Sequence, residues 1–178
     1  LDCSYYKYVN CEDIRFCRCW QCKDYDYDFI IIDCPPSLNM LTVNALTAAD
    51  TVLVPIQCEF YALEGVSQLI HTINLVKKRL NPTLDMEGVV FTMYDARTNL
   101  SLQVVENVKS NLRQNVYKTI IPRNVRLAEA PSHGLPINMY DTRSTGAESY
   151  RLLAQEVIEH QMGKEDETKT VKRRLWKK

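Results

Sequence analysis

Tyr27-Asp28-Phe29-Ile30-Ile31-Ile32-Asp33-Cys34-Pro35-Pro36-Ser37 is the stretch on which the fold turns. Four consecutive apolar residues, Phe29 to Ile32, bounded by turn chemistry predict a strand over 27–33 that is buried on both faces, as in a parallel sheet. Asp33 stands where that strand gives out, and Pro35 and Pro36 prevent the backbone from continuing it. Ligands of open α/β sheets bind beyond the carboxyl ends of strands, so a carboxylate here is expected to face the ligand crevice. It suits a hydrated Mg²⁺ on a nucleotide, because Mg²⁺ keeps several waters and takes few protein carboxylates. Capping the next helix is the other role open to Asp33, since a helix N-terminus favours an anion. The Pro-Pro pair and the sequence downstream favour the metal.

Outward from this run, strand and helix alternate. A helix near 38–48 places Leu41, Ala45 and Leu46 at helical spacing, and Thr51 to Ile56 reads as a short buried strand. Residues 62–80 form a long amphipathic helix with Leu63, Val66, Leu69, Ile70, Ile73, Leu75, Val76 and Leu80 apolar, stopped by Asn81-Pro82. A strand over 88–93, a helix over 100–114 (Leu102, Val105, Val108, Leu112), a strand over 116–121 closed by Pro122, and a helix over 146–160 (Leu152, Leu153, Val157, Ile158) complete the pattern. Such alternation implies right-handed βαβ units: an α/β fold with a mostly parallel sheet and helices on both faces.

The 178 residues suit one domain, and no stretch approaches the roughly 20 apolar residues of a membrane span. A cytoplasmic location is expected. Net charge is zero, but the segment from Lys164 to Lys178 has seven Lys/Arg against three Asp/Glu, so this end carries +4 and the rest −4. Nucleic-acid binding by the body therefore needs a local patch, not a basic average. The organisation predicted is a cysteine-rich, poorly structured leader over 1–24, a folded body over 25–160 and a mobile basic tail over 161–178. Val171, Leu175 and Trp176, interleaved with basic residues, also allow a short amphipathic helix on DNA or an anionic membrane. Cys11, Cys17, Cys19 and Cys22 lack the paired C-x₂-C knuckles of a convincing zinc site.

The run over 27–37 resembles the Walker B region of the ParA/Soj chromosome-partitioning ATPases, a deviant-Walker branch of P-loop proteins. Further blocks match in order: Leu41 to Leu46, Pro55 to Gly65, Asp95-Ala96-Arg97-Thr98-Asn99-Leu100, Ile121-Pro122-Arg123-Asn124-Val125-Arg126-Leu127-Ala128-Glu129-Ala130-Pro131-Ser132-His133-Gly134, and Tyr140-Asp141 with Arg143, Gly146 and Ala147. The resemblance runs from about Tyr25 to His160 and is nearer to the Soj type than to the MinD type. It implies a P-loop NTPase-like fold, ATP and Mg²⁺ as cofactors, a homodimer that sandwiches two nucleotides, binding to DNA without sequence preference, a ParB-type partner, and a nucleoid-associated location. By the same resemblance, Asp33 would hold Mg²⁺ through water, Pro122, Arg123 and Asn124 would lie near adenine and ribose, and Arg97 and Arg126 would contact DNA phosphates. A guanidinium suits phosphate oxygens, but a salt bridge with Asp95 or Glu129 is the ordinary use of such arginines.

Two departures temper this. No G-K-[ST] occurs anywhere, so the chain is expected to be the C-terminal part of such an ATPase, without its phosphate-loop strand and inactive in hydrolysis alone. Asn39 stands where Soj-like sequences usually carry Gly. A non-catalytic remnant or interaction module that keeps the fold is the alternative function, and MinD-like membrane positioning a weaker one, since the tail offers little apolar anchorage. His133, with no cysteine or acid motif to work with, and His71, on a long helix, are expected to be structural.

Overall fold

The computed structural model describes residues 29–35, 39–60, 62–111 and 116–175, with backbone alone at 62–64, 111 and 164–175. The elements are α1 (Met40–Ala48), β1 (Thr51–Gln57), α2 (Ala62–Arg79), β2 (Asp85–Tyr94), α3 (Asn99–Asn111), β3 (Val116–Pro122), α4 (Val125–Glu129), a 3₁₀ turn (Ala130–His133), α5 (Ile137–Tyr140) and α6 (Thr145–Leu175). The sheet order is β1-β2-β3, with β2 and β3 parallel. Asp85 N donates to Asp50 O at one end of β1, and Cys58 N donates to Thr92 O at the other. Both strands therefore run the same way. This is the α/β fold with a parallel sheet and flanking helices expected of a P-loop NTPase.

Burial follows strand position. In central β2, five consecutive residues from Glu87 to Phe91 are buried, as both faces are covered. In β1, at the edge of the sheet among the described strands, the buried Val54 and Ile56 alternate with exposed Leu53, Pro55 and Gln57, a place where the missing N–H of Pro55 is tolerated.

The chain divides into two compact units. In the first, α1 buries Thr42, Ala45 and Leu46, while α2 buries Ile73 and Val76. Asn39 is the N-cap of α1: its Oδ1 accepts from Leu41 N at 3.1 Å and Thr42 N at 3.3 Å. Buried Asn81 does more than end α2. Its Nδ2 donates to Leu46 O at 3.2 Å and Ala49 O at 2.8 Å, supplying carbonyls at the end of α1 with donors. In the second unit, Val90, Tyr117 and Ile121 form a core cluster on which Leu127 of α4 and Leu153 and Val157 of α6 pack.

Two irregularities shape this unit. The β2/β3 register steps from Val89↔Val116 to Phe91↔Ile120, so β3 carries extra residues. The N–H groups of Lys118 and Thr119 turn out of the ladder and donate to the two Glu156 carboxylate oxygens of α6, at 2.8 and 3.0 Å. A second shift lies between Phe91 and Tyr94, where Met93 takes a left-handed φ of 54°.

The strand predicted over 27–33 is not formed at 29–33. These residues have no strand pairing, and Ile30 and Ile31 are 77% and 76% exposed. An apolar run becomes a strand only where neighbouring backbones accept its hydrogen bonds, and none of the described strands pairs with it. Several apolar helix positions also face solvent, among them Leu41, Leu75, Leu80, Leu102, Leu152 and Ile158, whereas Val104 is buried. The last helix, expected over 146–160, runs to Leu175; its Lys/Glu/Gln/Arg-rich continuation contains good helix formers and no proline. The cysteine leader and Leu112 lie outside the described residues.

Candidate functional site

Parallel strands bring their carboxyl ends to one side, and in the second unit these ends carry charge. Glu59 follows β1, Asp95 and Arg97 follow β2, and Arg123 and Asn124 follow β3. The left-handed turn at Met93 re-aims the end of β2, so that Tyr94 O accepts from Arg123 N at 2.8 Å. Arg123 Nη2 pairs with Glu59 Oε1 at 3.3 Å, linking the exits of β3 and β1.

Asp95 holds Arg97 closely. Its Oδ1 accepts from Arg97 Nε at 2.9 Å and from the Arg97 backbone N at 3.0 Å, and its Oδ2 accepts from Nη2 at 2.8 Å. The Arg97 side-chain and backbone donors, aided by the charges of Arg97 and Arg123, outweigh partial burial and hold the Asp95 carboxyl far below its usual range. The same pair pushes the Arg97 guanidinium above its ordinary value. Thr98 caps α3, accepting from Ser101 N at 3.4 Å while its hydroxyl donates to Asp95 O at 3.0 Å, so the turn carrying Arg97 is anchored at both ends. Arg97 is 87% exposed, and its Nη1 makes no bond among the described residues.

Asn124 is committed to structure. Its Oδ1 caps α4 by accepting from Arg126 N at 2.8 Å, and its Nδ2 donates to Thr145 Oγ1 at 2.7 Å, tying α4 to the start of α6. That cap lifts Arg126 into a second ion cluster. Arg126 Nη1 meets Glu129 Oε2 at 2.9 Å, and Arg126 Nε lies 3.5 Å from Asp141 Oδ2. Tyr140 donates its phenol to Glu129 Oε2 at 3.1 Å, and His133 stacks on the Tyr140 ring at 4.8 Å. The hydrogen bond and charge of Glu129, with Tyr140 contributing, raise the Arg126 guanidinium above its ordinary value.

Asp33 belongs to the other unit and is exposed. It does not end a paired strand, and it does not cap α1, since Asn39 does. Among the described residues no group of three or more His, Cys, Asp or Glu is placed to hold a metal. Burial pushes the neighbouring Cys34 thiol up, with the Asp33 charge adding to it, and burial alone pushes Cys58 up to about 11. A raised thiol leaves less of the nucleophilic thiolate at neutral pH.

Of the sequence-derived candidates, Pro122, Arg123 and Asn124 come together with Arg97 through the exits of β2 and β3, and Arg126 lies just beyond on α4. Both ordinary salt bridges, Arg97–Asp95 and Arg126–Glu129, are present. Sequence reading did not single out Glu59, Asp141 and Tyr140 as partners: Glu59 and Asp141 are 64 and 15 positions from the arginines they meet, and Tyr140 is 11 from Glu129. No local spacing signals them.

A family model described as an AAA domain matches residues 13–86. The sporulation initiation inhibitor protein Soj of Bacillus subtilis is 61% identical over 146 residues, 82% of this chain and 58% of its own length. The chromosome partitioning protein ParA of Myxococcus xanthus is 56% identical over 150 residues, 84% of this chain and 51% of its own. This chain is a homologue of the ParA/Soj chromosome-partitioning ATPases. It spans about half the length of these relatives. Among solved structures, the cobyrinic acid a,c-diamide synthase of Mycobacterium smegmatis with bound ADP and magnesium is 38% identical with a TM-score of 0.65, over 82% of this chain and 52% of that one. No helix among the described residues of this ParA/Soj homologue is long and apolar enough to cross a membrane.

Proposed function

We propose that this chain is part of a nucleotide-switched partition ATPase that binds DNA without sequence preference, dimerises, and works with a ParB-type partner at the nucleoid in the cytoplasm. The observation that carries the reading is the 61% identity to Soj over 82% of the chain. The exposed arginines at and just beyond the strand exits support it, since they offer guanidinium donors to phosphate oxygens. Arg97 and Arg126 are the proposed phosphate contacts.

For the nucleotide the residues fit in part. Arg123 retains an exposed guanidinium on the proposed adenine and ribose side, whereas Asn124 has its amide engaged with Arg126 and Thr145. Asp33, exposed and acidic, suits water-mediated Mg²⁺, which would neutralise phosphate charge when bound. Residues 1–178 contain no G-K-[ST] to hold the phosphates.

Binding to labelled duplexes of two unrelated sequences tests the reading, with salt varied and with and without Mg-ATP. Replacing Arg97 and Arg126 together by Ala is expected to weaken binding equally for both sequences. Each lost phosphate contact should lower the log–log salt slope by about 0.9. Unchanged affinity and slope in the double variant would remove both residues from the site. A chain that binds neither duplex under any condition would favour the second reading, a fold-retaining interaction module.

A further inference from the structure

The arginine cluster on α4 holds more negative than positive charge. Arg126 is met by two carboxylates, Glu129 at Nη1 and Asp141 at Nε. The cluster's formal charge is therefore −1, although Arg126 is the residue offered to DNA. Arg97 differs in facing one carboxylate, that of Asp95, which grips it at Nε and Nη2; each guanidinium keeps one terminal nitrogen unengaged among the described residues, Nη1 in Arg97 and Nη2 in Arg126. The Glu129 carboxylate is also fixed from behind. The Tyr140 phenol donates to the same Oε2 that binds Arg126, and His133 holds the Tyr140 ring by stacking. Asp141 is held by its own turn, where Oδ1 accepts from Arg143 N at 3.2 Å. Neither acid sits beside Arg126 by chance of a floppy side chain.

We infer that Glu129 and Asp141, with Tyr140 fixing Glu129, form an acidic latch on Arg126 that sets the DNA affinity of this surface low. This rests on the DNA-binding reading above and adds the residues that restrain it. A phosphate approaching Arg126 meets two anions at the same guanidinium, so it must displace a carboxylate or bind at Nη2 against their weakening charge. Arg126 is 55% exposed, so phosphate reaches it without unfolding the helix, and the exchange of one acidic partner for another is local. Arg97, paired with one carboxylate, carries the less restrained part of the affinity and Arg126 the more restrained part.

The test uses the full chain and a short labelled duplex of arbitrary sequence. Glu129→Gln keeps the side-chain length and an acceptor for Tyr140 while removing the charge, and Asp141→Asn does the same at the other partner. Each is expected to tighten binding roughly 2- to 5-fold, the range of exposed charge interactions. The salt slope should steepen by up to about 0.9, as one more phosphate is engaged. Tyr140→Phe, which loosens Glu129 without removing charge, should give a smaller gain. Adding Arg126→Ala to Glu129→Gln should abolish the gain. A gain that survives loss of Arg126 would reduce the effect to net charge and overturn the latch. So would weaker or unchanged binding in both Glu129→Gln and Asp141→Asn when the parent chain binds, because the acids would then be positioning Arg126 or idle. If no form binds DNA, the DNA-binding reading fails and takes the latch with it.

Discussion

Gly146→Ala tests the packing that holds α4, and with it Arg126, against α6. A Cβ built at Gly146 meets Leu127 Cγ at 2.6 Å, Cδ1 at 2.9 Å and Cδ2 at 3.0 Å. Apolar carbons are comfortable at about 3.5–4.0 Å, so the new methyl overlaps all three branch atoms at once. Rotating the Leu127 methyls does not clear its Cγ. The whole side chain must shift, and it is packed against Val90, Tyr117 and Ile121. Overpacking of this kind costs about 1–3 kcal/mol. Replacing Gly by Ala in a helix returns up to about 1 kcal/mol, less in the first turn, where Gly146 sits. The expected net loss is about 1–2 kcal/mol, or a fall in Tm of roughly 2–8 °C for a chain of this size. Urea unfolding followed by circular dichroism measures it. The decisive arm repeats the substitution in a Leu127→Ala background, where the obstructing atoms are gone and Gly146→Ala should become neutral or stabilising. If Gly146→Ala is harmless in the parent, or costs the same in both backgrounds, the close approach of α4 to α6 is not what selects glycine here.

Asn81→Ala removes the donors of Leu46 O and Ala49 O at a buried position. It should cost about 1–3 kcal/mol in urea unfolding, whereas Pro82→Ala, on an exposed residue, should cost much less. Burial raises Glu156, but the donors of Lys118 and Thr119, with the charge of His160, outweigh it and hold its carboxyl below the ordinary 4.5. The stability it contributes is complete above about pH 4.5 and is lost as pH falls through the folded-state value. Unfolding measured from pH 7 to 3 should therefore show the parent losing stability more steeply below pH 5 than Glu156→Gln. Parallel curves would deny Glu156 this role. The polypeptide of residues 1–178 should release no phosphate from ATP beyond background, with DNA and a ParB-type partner present, because phosphoryl transfer depends on N–H groups and a lysine placed around the phosphates. Turnover that Asp33→Ala abolishes would show that other residues supply that cradle.

Much of the architecture was legible along the chain. Periodicity placed three strands and three main helices to within a few residues, and the start of the last helix, since each buried face repeats locally; the polar continuation of that helix to Leu175 has no such face to read. Its failures are informative. Phe29 to Ile32 has the composition of a buried strand, yet it pairs with no described strand. Residues 125–140 form three short helical turns with no apolar period long enough to read. Asn39 carries a local signal: an Asn directly before a helix favours the N-cap, and here it takes the capping role that was also open to Asp33.

The sequence by itself determined the fold class and the family and offered the arginines as candidates, because strand composition, helix spacing and motif order are local properties that survive without coordinates. Tertiary structure alone decided what those arginines touch. Arg123 reaches Glu59 across the sheet, Arg126 is held by Asp141 as well as Glu129, and Glu156 closes the β3 bulge, all through contacts between distant segments. Charge and hydrogen-bond partners are set by distance in space, and a guanidinium paired with one acid has the same letter in the chain as one met by two.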